Sequence, residues 1–254
     1  MKRFLVAGYG LIAYAIFFAT FLYAVGWVSN MFVPRSIDSA PTGSLGQALL
    51  VNVLLLGIFA VQHSVMARPA FKRAWTRLVP EPVERSTYVL FSSLALILMF
   101  ALWQPMGGVI WSVQAPAGTL LLHALAAFGW LLVLVSTFLI NHFDLFGLRQ
   151  VYLYLRGREY TPLPFQTPWL YKHVRHPLYV GWFFAFWATP TMTVAHLLFA
   201  LATTAYILIA IQLEEHDLVD AHGAAYEEYR RRVPMLVPNM AAAAAPAGEL
   251  AEVA

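Results

Sequence analysis

The sequence predicts an all-α, polytopic integral membrane helical bundle of about five to six membrane helices, the last two forming a C-terminal hairpin. Three observations carry that prediction. Hydrophobic residues make up 60% of the 254 positions and charged residues only 11%, where a soluble domain carries about 25% charged. Apolar runs fall at 4–28, 47–66, 88–103, 118–140, 178–195 and 194–213. A helix needs about 20 such residues to cross a bilayer, and inside lipid it satisfies its own backbone polar groups. Finally, the basic residues alternate from one connection to the next. Lys2 and Arg3 precede the first run, while Arg68, Lys72, Arg73, Arg77 and Arg85 follow the second. Arg149, Arg156, Arg158, Lys172 and Arg175 follow the fourth, and Arg230, Arg231 and Arg232 follow the last. The connections at 29–46 and 104–117 hold only Arg35. Positive charge stays on the cytoplasmic side during insertion, so both ends are expected in the cytoplasm of an inner-membrane protein.

Element by element, the run 4–28 is long enough for a retained anchor and lacks a cleavage signal. The runs at 47–66, 88–103 and 118–140 read as plain spans. Thr189-Pro190-Thr191 interrupts the fifth run, because proline removes a donor and clashes with the preceding turn; a tight hairpin near 190–194 follows, and the sequence leaves open whether it crosses fully. Residues 141–177, with Pro162, Pro164, Pro168 and Pro177, are expected to form an extended, packed cytoplasmic loop. Residues 214–232 have a helical pattern of charges and tyrosines, broken near Gly223. The chain is expected to be one domain over 1–240, with an Ala-rich disordered tail over 241–254.

Composition also excludes chemistry. There is no cysteine, which removes disulfides, iron–sulfur clusters and protein thiolate catalysis. No HExxH or phosphate-binding glycine loop occurs, so no metal is expected. No basic helix or stacking platform accompanies the net charge of +3, and no nucleic-acid partner is expected.

The remaining polar residues cluster at one bilayer level. His173-Val174-Arg175-His176-Pro177 enters the hairpin, with Tyr179 and Gly181 following. Proline suits a first helical turn, and the unpaired N–H groups there attract anionic groups. Glu214, Glu215 and His216 stand where the hairpin returns, followed by Tyr226, Tyr229 and Arg230. Carboxylates at the end of an apolar helix are costly unless paired or wet. Asn141, His142, Asp144, Phe146, Arg149 and Gln150 end the fourth span. Gln62, His63 and Ser64 end the second, with Arg85 and Tyr88 opposite. His63 and His142 lie at comparable depth, so spacing alone leaves a haem between them open.

His176-Pro177-Leu178-Tyr179-Val180-Gly181, Glu214-Glu215, Gly223-Ala224-Ala225-Tyr226-Glu227-Glu228-Tyr229 and Val233-Pro234 together resemble the C-terminal signature of the isoprenylcysteine carboxyl methyltransferase superfamily. Gln62-His63-Ser64-Val65-Met66-Ala67-Arg68-Pro69, Glu84-Arg85-Ser86-Thr87-Tyr88 and the stretch from Asn141 to Gln150 resemble its bacterial methanethiol S-methyltransferase branch. The resemblance implies S-adenosylmethionine as cofactor, a small volatile thiol as acceptor and dimethyl sulfide as product. It implies that His173, Arg175, His176, Pro177, Tyr179, Gly181, Glu214, Glu215, Tyr226, Tyr229 and Arg230 enclose the cofactor. On physical grounds Arg175 or Arg230 suits its carboxylate, Glu215 its ribose or amino group, and Tyr179 its adenine or sulfonium.

The thiol needs a base or a stabilising cation. His63, His142, Arg149 and Tyr88 are the candidates, with Gln62, Ser64, Arg85, Asn141, Asp144 and Phe146 lining the pocket. The expected partners are the thiol and the bilayer, with no obligate protein partner evident. The competing readings are a membrane methyltransferase for a lipid or prenyl-cysteine acceptor, and a non-enzymatic protein of haem handling or transport.

Overall fold

Among the described residues, five helices are long and apolar enough to cross a membrane: α1 (Lys2–Ser29), α2 (Leu45–Ala67), α4 (Glu81–Leu102), α5 (Pro116–Ile140) and α9 (Val194–His222). Short elements join them: α3 (Pro69–Trp75), β1 (Val109–Ser112), α6 (His142–Leu145), α7 (Leu148–Leu155), a 3-10 turn (Trp169–Lys172), α8 (Pro177–Trp187), β2 (Thr191–Thr193) and α10 (Ala224–Arg232). This computed structural model describes residues 1–238, and the tail expected over 241–254 lies outside the described residues. Among the described residues the fold is all-α apart from one two-stranded ribbon.

Local chemistry sets the boundaries. Prolines occupy the first turns of α3, α4, α5 and α8, where a missing N–H costs nothing. Ser44 caps α2 by accepting from the Gln47 N–H, and Thr193 caps α9 by accepting from the His196 N–H. The third span begins earlier than its apolar run, because Glu81 and Glu84 lie in the first turn of α4 and favour its positive end. Residues 141–177 are not wholly extended as expected. Their first part forms α6 and α7, and Val151 of α7 packs against Gly10 of α1, where a Cβ would come within 2.7 Å.

The first arm of the hairpin is continued by a route that the sequence did not show. The eleven residues of α8 rise only about 16 Å, short of the roughly 30 Å hydrocarbon core. Extended chain continues to β2, which pairs antiparallel with β1 from the connection between α4 and α5: Val109 opposite Thr193, Ser112 opposite Thr191. The Val113 N–H donates to Pro190 O at 2.9 Å and Trp111 Nε1 to Thr189 O at 3.1 Å. The ribbon therefore supplies backbone partners that a broken helix lacks. Strands this short carry no readable alternation.

The bundle core lies towards this ribbon end. Trp27 meets Trp103 and Phe199 edge-on, with centroids 5.3 and 5.4 Å apart. Asn52, fully buried, donates to Gln104 O at 2.7 Å and accepts from Gln104 N at 2.9 Å. Asp38 binds Thr193, Asn30 and His196, while His196 Nε2 donates to Phe186 O at 2.9 Å. At mid-bundle Gly129 of α5 faces Gly181 of α8, and a Cβ on Gly181 would lie 2.8 Å from Gly129 O. Small residues let helix backbones approach this closely. Gly181 thus serves contact between helices α5 and α8.

Candidate active site

At the other, basic end of the bundle, α8 starts beside the last turns of α9. Arg175 Nε donates to Glu215 Oε1 at 2.7 Å, and His176 Nε2 lies 2.9 Å from the same oxygen. The Arg175 guanidinium also donates to the Arg230 and Val233 carbonyls. Its backbone N–H donates to Pro234 O at 2.9 Å, and that of His176 to Met235 O at 3.2 Å. Arg175, expected to be available to a ligand carboxylate, is spent on Glu215 and on the chain after α10. Glu215 is buried, so its anion is stable there only because these donors compensate its desolvation.

Glu214 is placed differently. At about 100° per residue on α9, Tyr206 and Glu215 point to opposite faces and Glu214 lies between them. Tyr179 donates its hydroxyl to Glu214 Oε2 at 2.8 Å. Glu214, Tyr206 and Tyr88 are all electrostatic neighbours of Tyr179. This group joins α4, α8 and α9. Tyr206 escaped sequence reasoning because it sits inside an apolar run with no charged neighbour.

The second half of the group comes from α2 and α4. Ser64 Oγ donates to Tyr206 Oη at 3.2 Å, and Arg68 clasps α9 through Leu213 O and Asp217, at 3.1 and 2.8 Å. One residue away, His63 stacks on Phe59 with centroids 5.2 Å apart. His63 Nδ1 lies 3.1 Å from Ser92 Oγ, while Tyr88 Oη lies 3.1 Å from Nδ1 and 3.0 Å from Nε2. Gln62 Nε2 donates to Ser92 Oγ and Met66 Sδ, leaving Gln62 Oε1 buried without a partner. Arg85 stands over the Tyr88 ring at 5.3 Å and donates to Leu145 O at 2.8 Å. Phe146 packs against Met66 and Tyr88 from the α6 side.

The third histidine site is closed. His142 is buried and stacked on Phe138 at 4.2 Å. Thr137 Oγ1 donates its one proton to Leu134 O at 2.6 Å and lies 2.8 Å from His142 Nδ1. Nδ1 must therefore carry the hydrogen, and Nε2 accepts from Tyr14 Oη at 2.8 Å. Both nitrogens are committed, and burial lowers the pKa of this ring. Asn141 caps the Asp144 N–H at 3.1 Å, with a backbone φ of 126°. Asp144 pairs with Arg149 at 2.9 Å, and Arg149 also donates to Thr161 O at 2.9 Å. These residues fasten the loop 156–168 rather than the His63 group.

That loop then reaches the C-terminal aromatics. The Phe165 ring lies against His222, Tyr226 and Tyr229, with centroids 5.1, 5.7 and 5.5 Å away. Tyr229 donates to Tyr171 O at 2.6 Å, and burial pushes its hydroxyl up to about 12. Burial first, then the Glu215 charge, raises Tyr226 likewise. Both remain hydrogen-bond donors at neutral pH. α9 ends at Gly223, whose φ is 55°, so Tyr226 belongs to a separate helix and points inward while the Arg230 side chain is exposed. His173 is exposed as well.

Comparison with known proteins follows the same lines. The chain is 62% identical over 238 residues to a methanethiol S-methyltransferase of Crocosphaera subtropica, covering 94% of this chain and 93% of that protein. It is 56% identical over 238 residues to a methanethiol S-methyltransferase of Mycobacterium tuberculosis, covering 94% and 98%. It is 36% identical over 184 residues to Nurim of Rattus norvegicus, covering 69% and 70%. No family model matches the chain, and no solved structure does.

Proposed function

The chain belongs to the methanethiol S-methyltransferase family, and we propose that it transfers the methyl group of S-adenosylmethionine to methanethiol, giving dimethyl sulfide. The observation that carries this reading is the meeting of two residue sets at the basic end. One is acidic and aromatic, Glu214 with Tyr179; the other is imidazole and hydroxyl, His63 with Tyr88 and Ser92. When bound, S-adenosylmethionine supplies an electrophilic methyl group on a sulfonium cation.

The residues present fit that group. A cation favours a carboxylate and π faces, which Glu214, Tyr179, Tyr206 and Tyr88 provide. Phe165, which the buried Tyr226 and Tyr229 meet edge-on, offers a ring face for adenine. With Arg175 and His176 holding Glu215 in place, the exposed Arg230 and His173 are the groups free to meet the donor carboxylate.

In this reading His63 takes the thiol proton, aided by Tyr88, while the Arg85 cation favours the thiolate. A placed general base contributes about 10²–10⁴-fold. Phe59, Met66 and Phe146 keep water from the thiolate, which strengthens each of these interactions. His142 is the weaker base candidate, because its nitrogens bond Tyr14 and Thr137 rather than any residue of the Tyr88–Tyr179–Glu214 group.

The protein is a multi-pass component of the bacterial inner membrane with both ends in the cytoplasm. The charged donor then arrives from the cytoplasm, and the small apolar thiol partitions through the bilayer. Purified full-length protein in nanodiscs tests this, by calorimetric titration with S-adenosylmethionine and headspace analysis after adding methanethiol. Donor binding and dimethyl sulfide are expected. Methyl transfer to a lipid amine or a prenyl-cysteine but not to methanethiol overturns the acceptor assignment, and a Soret band overturns the enzymatic reading.

A further inference from the structure

Ser92 lies on α4, one turn beyond Tyr88, and only 9% of it is exposed. Its hydroxyl has two partners, Gln62 Nε2 at 3.3 Å and His63 Nδ1 at 3.1 Å. An amide nitrogen can only donate, so Ser92 accepts from Gln62 and has its own proton to give to Nδ1. His63 then keeps its hydrogen on Nε2, and Tyr88 Oη lies over the ring between the two nitrogens, 3.1 and 3.0 Å from them. A proton arriving at the ring reverses this pattern. Nδ1 becomes a donor, the Ser92 hydroxyl must turn to accept from it, and the Ser92 proton needs a new acceptor. The Gln62 amide carries one: its Oε1 is buried and unpartnered, and a half-turn of the amide puts it in the place of Nε2.

We infer that Ser92, backed by Gln62, is a positioning residue that supports His63 in both its neutral and its protonated form. The inference rests on the methyl-transfer reading above and deepens it. The Ser92 hydroxyl turns away from Nδ1, and the thiol proton reaches that nitrogen through the Tyr88 hydroxyl, 3.1 Å away, which receives one proton as it gives one up. The sulfur–methyl bond to the acceptor forms as that of the donor breaks, and the proton stays on His63 until it is released to solvent. The charged and titratable groups facing this ring are Arg85 and Tyr88 on α4, and around Tyr88 in turn stand Arg68 of α2 and Tyr206 and Glu214 of α9. None of them offers Nδ1 a partner able both to donate and to accept except the Tyr88 hydroxyl, which the reaction itself uses. That leaves the supporting role to Ser92.

The test compares Ser92→Thr with Ser92→Val, which share a shape and differ in the hydroxyl, with Ser92→Ala as the small control. Each full-length variant is assayed by headspace dimethyl sulfide across pH, and for donor affinity by calorimetry. The expected result is a Thr variant within about threefold of the parent. The Val and Ala variants should lose kcat by about tenfold or more, with a displaced acid limb in the pH profile and unchanged donor affinity. Equal activity of the Thr and Val variants, or equal loss in both, overturns the inference. A His63→Ala protein with full turnover overturns the base assignment beneath it. An inactive His63→Ala protein beside a normal Ser92→Ala protein overturns the Ser92 role alone.

Discussion

The two ends of the bundle treat buried polar groups in opposite ways. At the ribbon end they close on one another: Asn52 satisfies both the carbonyl and the N–H of Gln104, and Asp38 gathers Asn30, Thr193 and His196. At the basic end some are left open. The two buried amide oxygens without a partner among the described residues, those of Gln62 and Gln150, both lie there. The ribbon end spends most of its polarity on holding the hairpin and loops together, with the Trp27 Nε1 left unpartnered in its core, whereas the basic end leaves amide oxygens open. An unsatisfied buried group costs free energy, and Gln62 Oε1 is the one that lies beside His63.

Substitutions can break this contrast, and the largest effect is expected at His63. His63→Ala should lower kcat by about 10²–10⁴-fold while leaving the calorimetric affinity for S-adenosylmethionine intact. Glu215→Ala should instead destabilise the fold by about 3–5 kcal/mol, because it strands the buried Arg175 and His176 without their anion. A denaturant titration reads that loss, and an unaltered midpoint would show the pair to be dispensable. At the ribbon end Asp38→Asn should likewise cost stability, by about 1–3 kcal/mol, yet leave the donor affinity and kcat of the folded fraction unchanged. Glu214→Gln sharpens the comparison from the other side. It keeps the Tyr179 hydrogen bond but removes the charge, and should weaken donor binding by about tenfold or more with little change in the unfolding midpoint.

The smallest effect is a pH dependence of stability. The folded pKa of His142 is depressed by burial, so the unfolded chain takes up a proton that the folded ring refuses. The His142 contribution is complete above about pH 6.5, the ordinary histidine value, and declines as pH falls through it towards the folded value. Melting temperatures across that range should fall less steeply for His142→Asn than for the parent. Parallel slopes would place the acid sensitivity elsewhere.

Much of this was legible in the sequence where a single residue type carries the signal. The long apolar runs gave α1, α2, α5 and α9, and Pro177 marked the start of α8. The gathering of His63, His142, Arg175 and Glu214 at one level followed from where the runs end. What stayed hidden was pairing. Arg175 reads as a cation open to a ligand until Glu215, forty positions away, is seen to occupy it. Gly181 reads as room for a ligand until Gly129 is found against it. The β1–β2 ribbon was unreadable because three or four residues show no period. Tyr206 and Ser92 were missed since a lone hydroxyl in an apolar helix looks like core until a neighbouring helix supplies its partner.

The central claim is that donor and acceptor groups converge between Glu214 and Tyr88. The most direct measurement is an experimental structure of the full-length protein with S-adenosylhomocysteine bound. Its thioether sulfur is predicted beside Tyr179 and Glu214, facing the Tyr88–His63 pair. A sulfur found instead next to His142 and Arg149, or at the ribbon end near Asp38, would contradict the account.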